Sequence, residues 1–409
     1  MRLLPIITAA ALSVGLAVSA SAADKIAKIG VLAPMSGGAA ADGEETLRGV
    51  KMAVEEVNAA GGIAGYKFEV VLGDVKDQTS DAVVSAFERL NGTKNLDVIL
   101  TGYATQSNFE IEYMAEAGMV YMLAGNSNQT RAMVQKDPGK FSTIWSFSPS
   151  FDAYETELLP VVEGLAKAGK LKLANKKIAV VSSDNAYSKS IYAGIKKSFK
   201  SKGWNVTVDE IVPSGEINDW RALLTKVRND PPAVIVNTDW MPSNAATFIS
   251  QFMEKPTDSL VFIQYGPSVP EFLKLTKGKS TGVIYNLLGG SLMSPKNPRA
   301  AEVGKMYKDK YGKESGPYGT SLYEMAHIYF DAVRKVGDPA NREAIAKAIG
   351  ETDKQVSIGR LKFDPKTHLS LQGNDYVPIQ FYQIWDGKRT LFYPTKYSTG
   401  DFKAPPWMN

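Results

Sequence analysis

The sequence predicts an α/β chain organised as two domains, and three observations predict it. From Lys28 onwards, short apolar β-type runs alternate with amphipathic helical patterns, the mark of βαβ units around a parallel sheet covered on both faces. The chain has 409 residues, beyond the roughly 250 to 300 at which a single core stops growing. The alternation also restarts partway, Lys28-Ile29-Gly30-Val31 being answered by Lys177-Ile178-Ala179-Val180, so a duplicated architecture is expected.

Ahead of the first strand stand Arg2, an uncharged stretch from Leu3 to Val18, and the small residues Ala20-Ser21-Ala22 before Ala23-Asp24. This is the layout of a secretory signal peptide over residues 1–22, with cleavage after Ala22. Later apolar runs such as Leu96 to Leu100 and Ala233 to Val236 are soon broken by polar residues, so no membrane span is expected and the mature chain should be soluble. There is no cysteine, which excludes disulfide staples and a lipid anchor on a cleavage-site cysteine. The formal charge is +4, the balance of a solvated surface and not the clustered footprint of a nucleic-acid partner.

In the first half, Ile29 to Ala33, Phe68 to Leu72, Val98 to Leu100 and Met119 to Leu123 read as strands. Between the first two, Leu47, Val50, Val54 and Val57 mark one helix face that stops at Gly61-Gly62, with Asp42 and Glu45 spaced as a capping pair at its start. After the stretch Phe141 to Ser150, strands recur at Ile178 to Val181, Val206 to Ile211, Val234 to Val236 and Leu260 to Ile263. Ile191, Ile195 and Phe199 define one of their helices, and Trp220, Leu223, Leu224 and Val227 another that Pro231-Pro232 terminates. A further strand over Gly282 to Leu287 precedes two helices, one reaching Tyr311 and one from about Tyr318 to Val336, which neither half plainly owns. From Gly359 the pattern turns β-like, with Val377 to Trp385, an Asp386-Gly387 hairpin signal and Thr390 to Tyr393.

Motifs for catalysis fail on inspection. Gly278-Lys279-Ser280 lacks the upstream glycine and strand of a phosphate loop, and Ser36-Gly37-Gly38-Ala39 is no dinucleotide fingerprint. Gly125-Asn126-Ser127-Asn128 lacks the closing glycine of a nucleophile elbow, Gln129 standing there. With His327 and His368 as the only histidines and no cysteine, neither a catalytic base nor a metal cluster is evident. No enzyme activity, cofactor or metal is expected.

Over nearly the whole mature chain the sequence resembles the periplasmic substrate-binding proteins of ABC transporters in the branched-chain amino acid and amide group, relatives of the Leu/Ile/Val-binding protein. The likeness is carried by Lys28-Ile29-Gly30-Val31-Leu32-Ala33-Pro34-Met35-Ser36-Gly37, by Arg48-Gly49, by Val57-Asn58-Ala59-Ala60-Gly61-Gly62-Ile63-Ala64-Gly65 and by the Asp74 to Ser80 segment. It implies the type I fold: two Rossmann-like lobes with parallel-sheet cores joined by three hinge crossings, residues 24–142 plus 285–350 in the N-terminal lobe and 143–284 plus 351–409 in the C-terminal lobe. It also implies hinge closure around a ligand.

In open α/β sheets ligands bind beyond the carboxyl ends of strands, where loops lead into helix N-termini. The loops Met35-Ser36-Gly37-Gly38, Gly102 to Ser107 and Ala124 to Asn128 have that place in the first half. The resemblance points to Thr105, Gln106 or Ser107, and to Gly125 and Ser127, as groups holding a ligand carboxylate or amide, although strand ends and helix caps use the same residue types. In the second half it puts Tyr187 at an aromatic contact position. Asp239-Trp240 and Tyr265 lie at further strand ends, and Tyr318 opens a helix. Where amino-acid binders of the family carry a carboxylate for the ligand ammonium, this chain reads Gln264-Tyr265-Gly266, with Asp239 as a substitute. An α-amino acid, an amide, a urea-like molecule and an aromatic acid therefore all stay open.

The expectation is thus an exported monomer that captures a small molecule and delivers it to the permease subunits of an ABC transporter in the periplasm. A receptor that reports occupancy to a sensor kinase or regulator is the alternative, since both need only closure around a ligand.

Overall fold

The structure is a computed structural model in which residues 25–408 are described; the expected signal peptide lies outside the described residues. The first sheet holds β1 (Lys25–Ala33), β2 (Tyr66–Asp74), β3 (Leu96–Thr101), β4 (Val120–Leu123) and β5 (Ile144–Ser146), all parallel in the order β2-β1-β3-β4-β5. The second sheet begins with β6 (Lys177–Ser183), β7 (Asn205–Val212), β8 (Val234–Asn237), β9 (Leu260–Ile263) and β10 (Ile284–Leu287). A separate hairpin, β11 (Asp353–Val356) and β12 (Gly359–Lys362), follows, and then β13 (Gln380–Trp385) and β14 (Lys388–Tyr393). The second sheet runs β14-β13-β10-β9-β8-β6-β7, parallel except for the antiparallel pair added at its edge. Asp386 and Gly387 both take positive φ in the tight turn of that pair, as the Asp-Gly signal requires.

Each sheet is covered on both faces, which is why its strands read as unbroken apolar runs. In the first lobe, helices Ala40–Ala59, Gly319–Val336 and Arg342–Gly350 seal one face over Val31, Leu100 and Met122, and helices Ser80–Asn91, Glu110–Glu116 and Ser127–Lys136 seal the other over Leu32, Ile99 and Tyr121. In the second lobe, helices Arg221–Asn229 and Pro242–Phe252 cover Ile235 and Ile263, while helices Leu158–Lys167 and Ala186–Ser201 cover Val180 and Phe262. No helix among the described residues is long and apolar enough to cross a membrane.

The lobe boundaries differ from those expected. Ile144–Ser146 pairs with β4 and so belongs to the first lobe, not to a second lobe starting at residue 143. Ile284–Leu287 pairs with β9 and β13, so the second lobe runs past residue 285. The hairpin β11–β12 packs Val356, Leu361 and Phe363 into the first-lobe core, returning residues 353–363 to the lobe that sequence had denied them. The reason is the same in each case: a strand's sheet is fixed by its hydrogen-bonded neighbour, which sequence periodicity does not reveal.

Three segments cross between the lobes, after β5, after β10 and before β13. They run close together: Gln380 Nε2 donates to the Gly290 carbonyl at 2.9 Å, and Leu292 N to the Ser357 carbonyl at 2.8 Å.

Asp42 and Glu45 do not cap their own helix. It begins at Ala40, leaving both inside its first turns. Glu45 instead accepts backbone N–H groups of Gly316, Tyr318 and Gly319, capping the start of helix Gly319–Val336 from a neighbouring element and satisfying donors that helix would leave orphaned.

Candidate functional site

A cavity lies between the lobes beside the crossings, with about 530 Å³ of non-atom space counting its open mouth. The first lobe contributes Tyr103 and Gln106 from the loop after β3, and Ala124, Gly125 and Asn126 from the loop after β4. The crossings contribute Ser148 and the run Leu287 to Gly290. Phe151, Tyr154, Tyr187, Trp240 and Tyr265 form the second-lobe wall, and Pro317 and Tyr318 close the rim.

Each ring is placed by a strand end or a helix start. Asn185 caps helix Ala186–Ser201 through the Ser188 N–H, which sets Tyr187 in its first turn; the Tyr187 hydroxyl accepts from Gln264 Nε2 at 3.2 Å. Tyr154 is pinned to the second crossing, where its hydroxyl accepts from Leu288 N at 2.8 Å. Phe151, Tyr154 and Tyr187 meet edge to face with centroids 4.9 to 6.5 Å apart, the packing ring quadrupoles favour. Tyr265 follows β9 in a γ-turn, φ 59° and ψ −58°, closed by the Gly266 N–H on the Gln264 carbonyl at 2.6 Å. A bulky residue at positive φ stores strain, and here it swings the ring across to the first lobe.

There the Tyr265 hydroxyl donates to Asp42 Oδ2 at 2.8 Å, and the Tyr103 hydroxyl donates to the same oxygen at 2.7 Å. Asp42 thus ties the two lobes together. Burial lifts its carboxyl to about 6, against the pull of the two tyrosine hydrogen bonds, and burial lifts Glu45 to about 7. Burial also raises the hydroxyls of Tyr103, Tyr154, Tyr187, Tyr265 and Tyr318, so all five stay neutral hydrogen-bonding groups.

Of the residues sequence singled out, Gln106, Gly125, Tyr187, Trp240, Tyr265 and Tyr318 come together at this cavity. Gly125 must lack a side chain, since a Cβ would meet the Cβ of Tyr103 at 2.6 Å. Thr105, Ser107, Ser127 and Asp239 are not among the lining residues. Thr105 Oγ1 donates to Glu110 and accepts from Asn108 N, inside a buried network that reaches Asn126. Ser107 is exposed. Ser127 is buried and its Oγ accepts from Phe151 N at 2.9 Å. Asp239 accepts from Met241 N and Asn244 Nδ2, at the start of helix Pro242–Phe252, and burial lifts it to about 6.

Sequence reading missed Tyr103, Asn126, Ser148, Phe151, Tyr154 and the carboxylate behind the wall, Asp42. Tyr103 and Asn126 were one to three residues from named candidates, in loops already marked. Ser148 lies in the stretch Phe141 to Ser150, after which the pattern restarts, and Phe151 just beyond it; nothing local marks a crossing as a binding surface.

Among the described residues no group of histidine, cysteine, aspartate and glutamate side chains is arranged to hold a metal ion. None of the lining residues is an aspartate, glutamate, lysine, arginine or histidine. The arrangement provides hydroxyls, amides and backbone donors on one side and rings on the other, a lining suited to holding a small molecule.

A family model described as periplasmic binding protein matches residues 27–380. The Leu/Ile/Val-binding protein homolog 8 of Brucella suis is 26% identical over 416 residues, covering 96% of this chain and 97% of that protein. A solved structure from Silicibacter pomeroyi, described as a putative branched-chain amino acid ABC transporter, superposes with a TM-score of 0.84 at 30% identity over 94% of this chain and 100% of that one. The branched-chain amino acid transporter substrate-binding protein of Streptococcus pneumoniae, solved with isoleucine, gives 0.73 at 21% identity over 89% and 98%, a likeness of fold.

Proposed function

The chain belongs to the periplasmic binding protein family, and from that premise we propose that it is the exported solute-binding component of an ABC uptake system. It takes a small amino acid-like, amide or carboxylate ligand between its lobes, closes over it by hinge motion in the periplasm, and presents the closed form to membrane permease subunits. It works as a monomer and carries out no reaction.

The observation that carries the reading is the cavity itself. Polar first-lobe loops face a wall of second-lobe rings across the three crossings, so a ligand touching both sides favours the closed state by its differential contacts. The start of helix Ser127–Lys136 at Asn126 lies in the polar side, where unpaired backbone N–H groups favour an oxygen-bearing head.

The test is thermal denaturation and small-angle scattering of the purified mature chain against amino acids, amides and small carboxylic acids. A true ligand raises the melting temperature in step with ln(1 + [L]/Kd) and compacts the particle. A panel in which nothing stabilises or compacts the chain overturns the reading.

A further inference from the structure

The electrostatics of the cavity bear on the kind of ligand it takes. Seven of its lining residues are aromatic and none is cationic. Three of the rings, Tyr103, Tyr265 and Tyr318, form one group, with Tyr318 centred 5.5 Å from Tyr103 and 6.5 Å from Tyr265. Behind them is Asp42, 4% exposed. Both of its hydrogen bonds come from phenols and both fall on Oδ2, so each phenol proton is directed away from any ligand and each phenol oxygen is left as an acceptor.

Among the described residues no lysine, arginine or histidine pairs with this carboxylate. The other charges that reach it are Glu45 and Glu271, both acidic. Besides the two phenol hydrogen bonds, its compensation is the first turn of helix Ala40–Ala59, a partial positive charge only. Glu45, Glu110 and Asp239 are also buried without a cationic partner, while Glu324, 1% exposed, is held by Arg299 at 2.8 Å. Of the four unpaired carboxylates, Asp42 is the one whose donors are rings of the cavity wall. A buried anion without a counter-charge is costly, and the faces of tyrosine rings attract cations. Both features favour positive charge at the same place.

We infer that the cavity takes a ligand with an alkylated ammonium head, seated against the rings of Tyr103, Tyr265 and Tyr318, with Asp42 as the counter-charge behind the two phenols. The inference rests on the reading of this cavity as the ligand site and narrows it. An alkylated head is favoured over a primary ammonium because the two phenol oxygens can accept only two of the latter's three N–H donors and ring faces cannot satisfy the third in a desolvated space, whereas an alkylated head makes no such demand. Asp42 and Tyr103 belong to the first lobe and Tyr265 to the second, so a cation at this point also draws the lobes together.

The experiment uses pairs of probes of equal shape. Choline and glycine betaine are titrated calorimetrically into the mature chain, beside their uncharged-head isosteres 3,3-dimethylbutan-1-ol and 3,3-dimethylbutanoate, with leucine, isoleucine and benzoate in the same series. The cationic member of at least one pair should bind about tenfold or more tighter than its isostere, the scale of a desolvated cation held by rings. Asp42→Asn should bring the pair to near equality. Tyr318→Leu, which leaves Asp42 and its two hydrogen bonds in place, should weaken the cation selectively and keeps the test open should the first variant misfold. Isosteres that bind as well as the cations, or no binding of either cation, overturn the inference. If leucine, isoleucine or benzoate binds and compacts the chain while the cations do not, ligand capture stands and only the cationic head falls. If no member of the wider panel binds, the capture reading falls with it.

Discussion

Gly289 lies so close to Ser148 that a Cβ on the glycine would stand 2.3 Å from the Ser148 hydroxyl oxygen. One residue follows β5 and the other follows β10, so the contact joins two crossings at the cavity wall. Gly289 also holds φ at +80°, where side chains are strained. Gly289→Ala should therefore impair closure, seen as loss of ligand-induced compaction in scattering. Ser148→Ala should leave folding intact and weaken binding by the 0.5–1.5 kcal/mol typical of about one neutral hydrogen bond. Calorimetry giving wild-type affinity for Ser148→Ala would remove that hydroxyl from the site.

Ser127 makes the opposite prediction. Its Oγ serves the buried Phe151 N–H and its side chain does not line the cavity. Ser127→Ala should leave that donor orphaned at a cost of about 1–3 kcal/mol, lowering the melting temperature. A variant with unchanged melting temperature but weakened ligand binding would show that Ser127 serves the ligand and not the fold.

The ring wall should be needed for closure. Trp240→Ala and Tyr187→Ala remove second-lobe surface that only the closed form brings against a ligand, and each should raise Kd by about tenfold or more, as buried aromatic contacts do. Scattering profiles of either variant that compact like wild type at the same ligand concentration would exclude that residue from the closing face.

Stability should fall as pH rises from 5 to 8. Burial holds Glu45 at about 7 against an ordinary 4.5 and Asp42 at about 6 against 3.8. A folded-state value above the unfolded one means the native chain retains protons the unfolded chain releases. The stabilisation is therefore complete below the unfolded values and is lost as pH passes 6 and then 7, with about 3 kcal/mol at stake for each group. The groups facing them are few: Tyr103, Tyr265 and Glu271 around Asp42, and Asp42, Tyr307 and the Gly316, Tyr318 and Gly319 N–H groups around Glu45. Melting temperatures across this window should decline in the wild type and less steeply in Glu45→Gln. A flat wild-type profile would contradict the assignment.

Strands and helices were legible because their apolar periodicity is local: β9 matches its sequence reading residue for residue, and the helix predicted to reach Tyr311 does so. What sequence did not reveal depends on which distant segment is the neighbour. Asp42 and Glu45 carry the spacing of a capping pair, yet their partners are Tyr103 and Tyr265 for one and the Gly316–Gly319 turn for the other. The candidate loops were found, but among small polar residues in a loop only tertiary contact decides which are engaged by the protein itself, as Thr105 is by Glu110, and which are left facing the cavity, as Gln106 is.

The first sheet also receives its last cover late. Ile29, Val31, Val98 and Met122 are sealed by helices Gly319–Val336 and Arg342–Gly350, which follow the five parallel strands of the other lobe in the chain. A chain made from its N-terminus therefore has β6 to β10 and their helices in hand while one face of β1 to β5 is covered only by helix Ala40–Ala59, waiting on contacts between segments far apart in sequence. Such contacts form slowly, and an apolar face left open meanwhile invites association. A nascent chain halted before residue 319 would hold a half-covered first sheet with no way to finish it, and the second lobe in turn waits for β13, β14 and the C-terminal stretch that packs on its core.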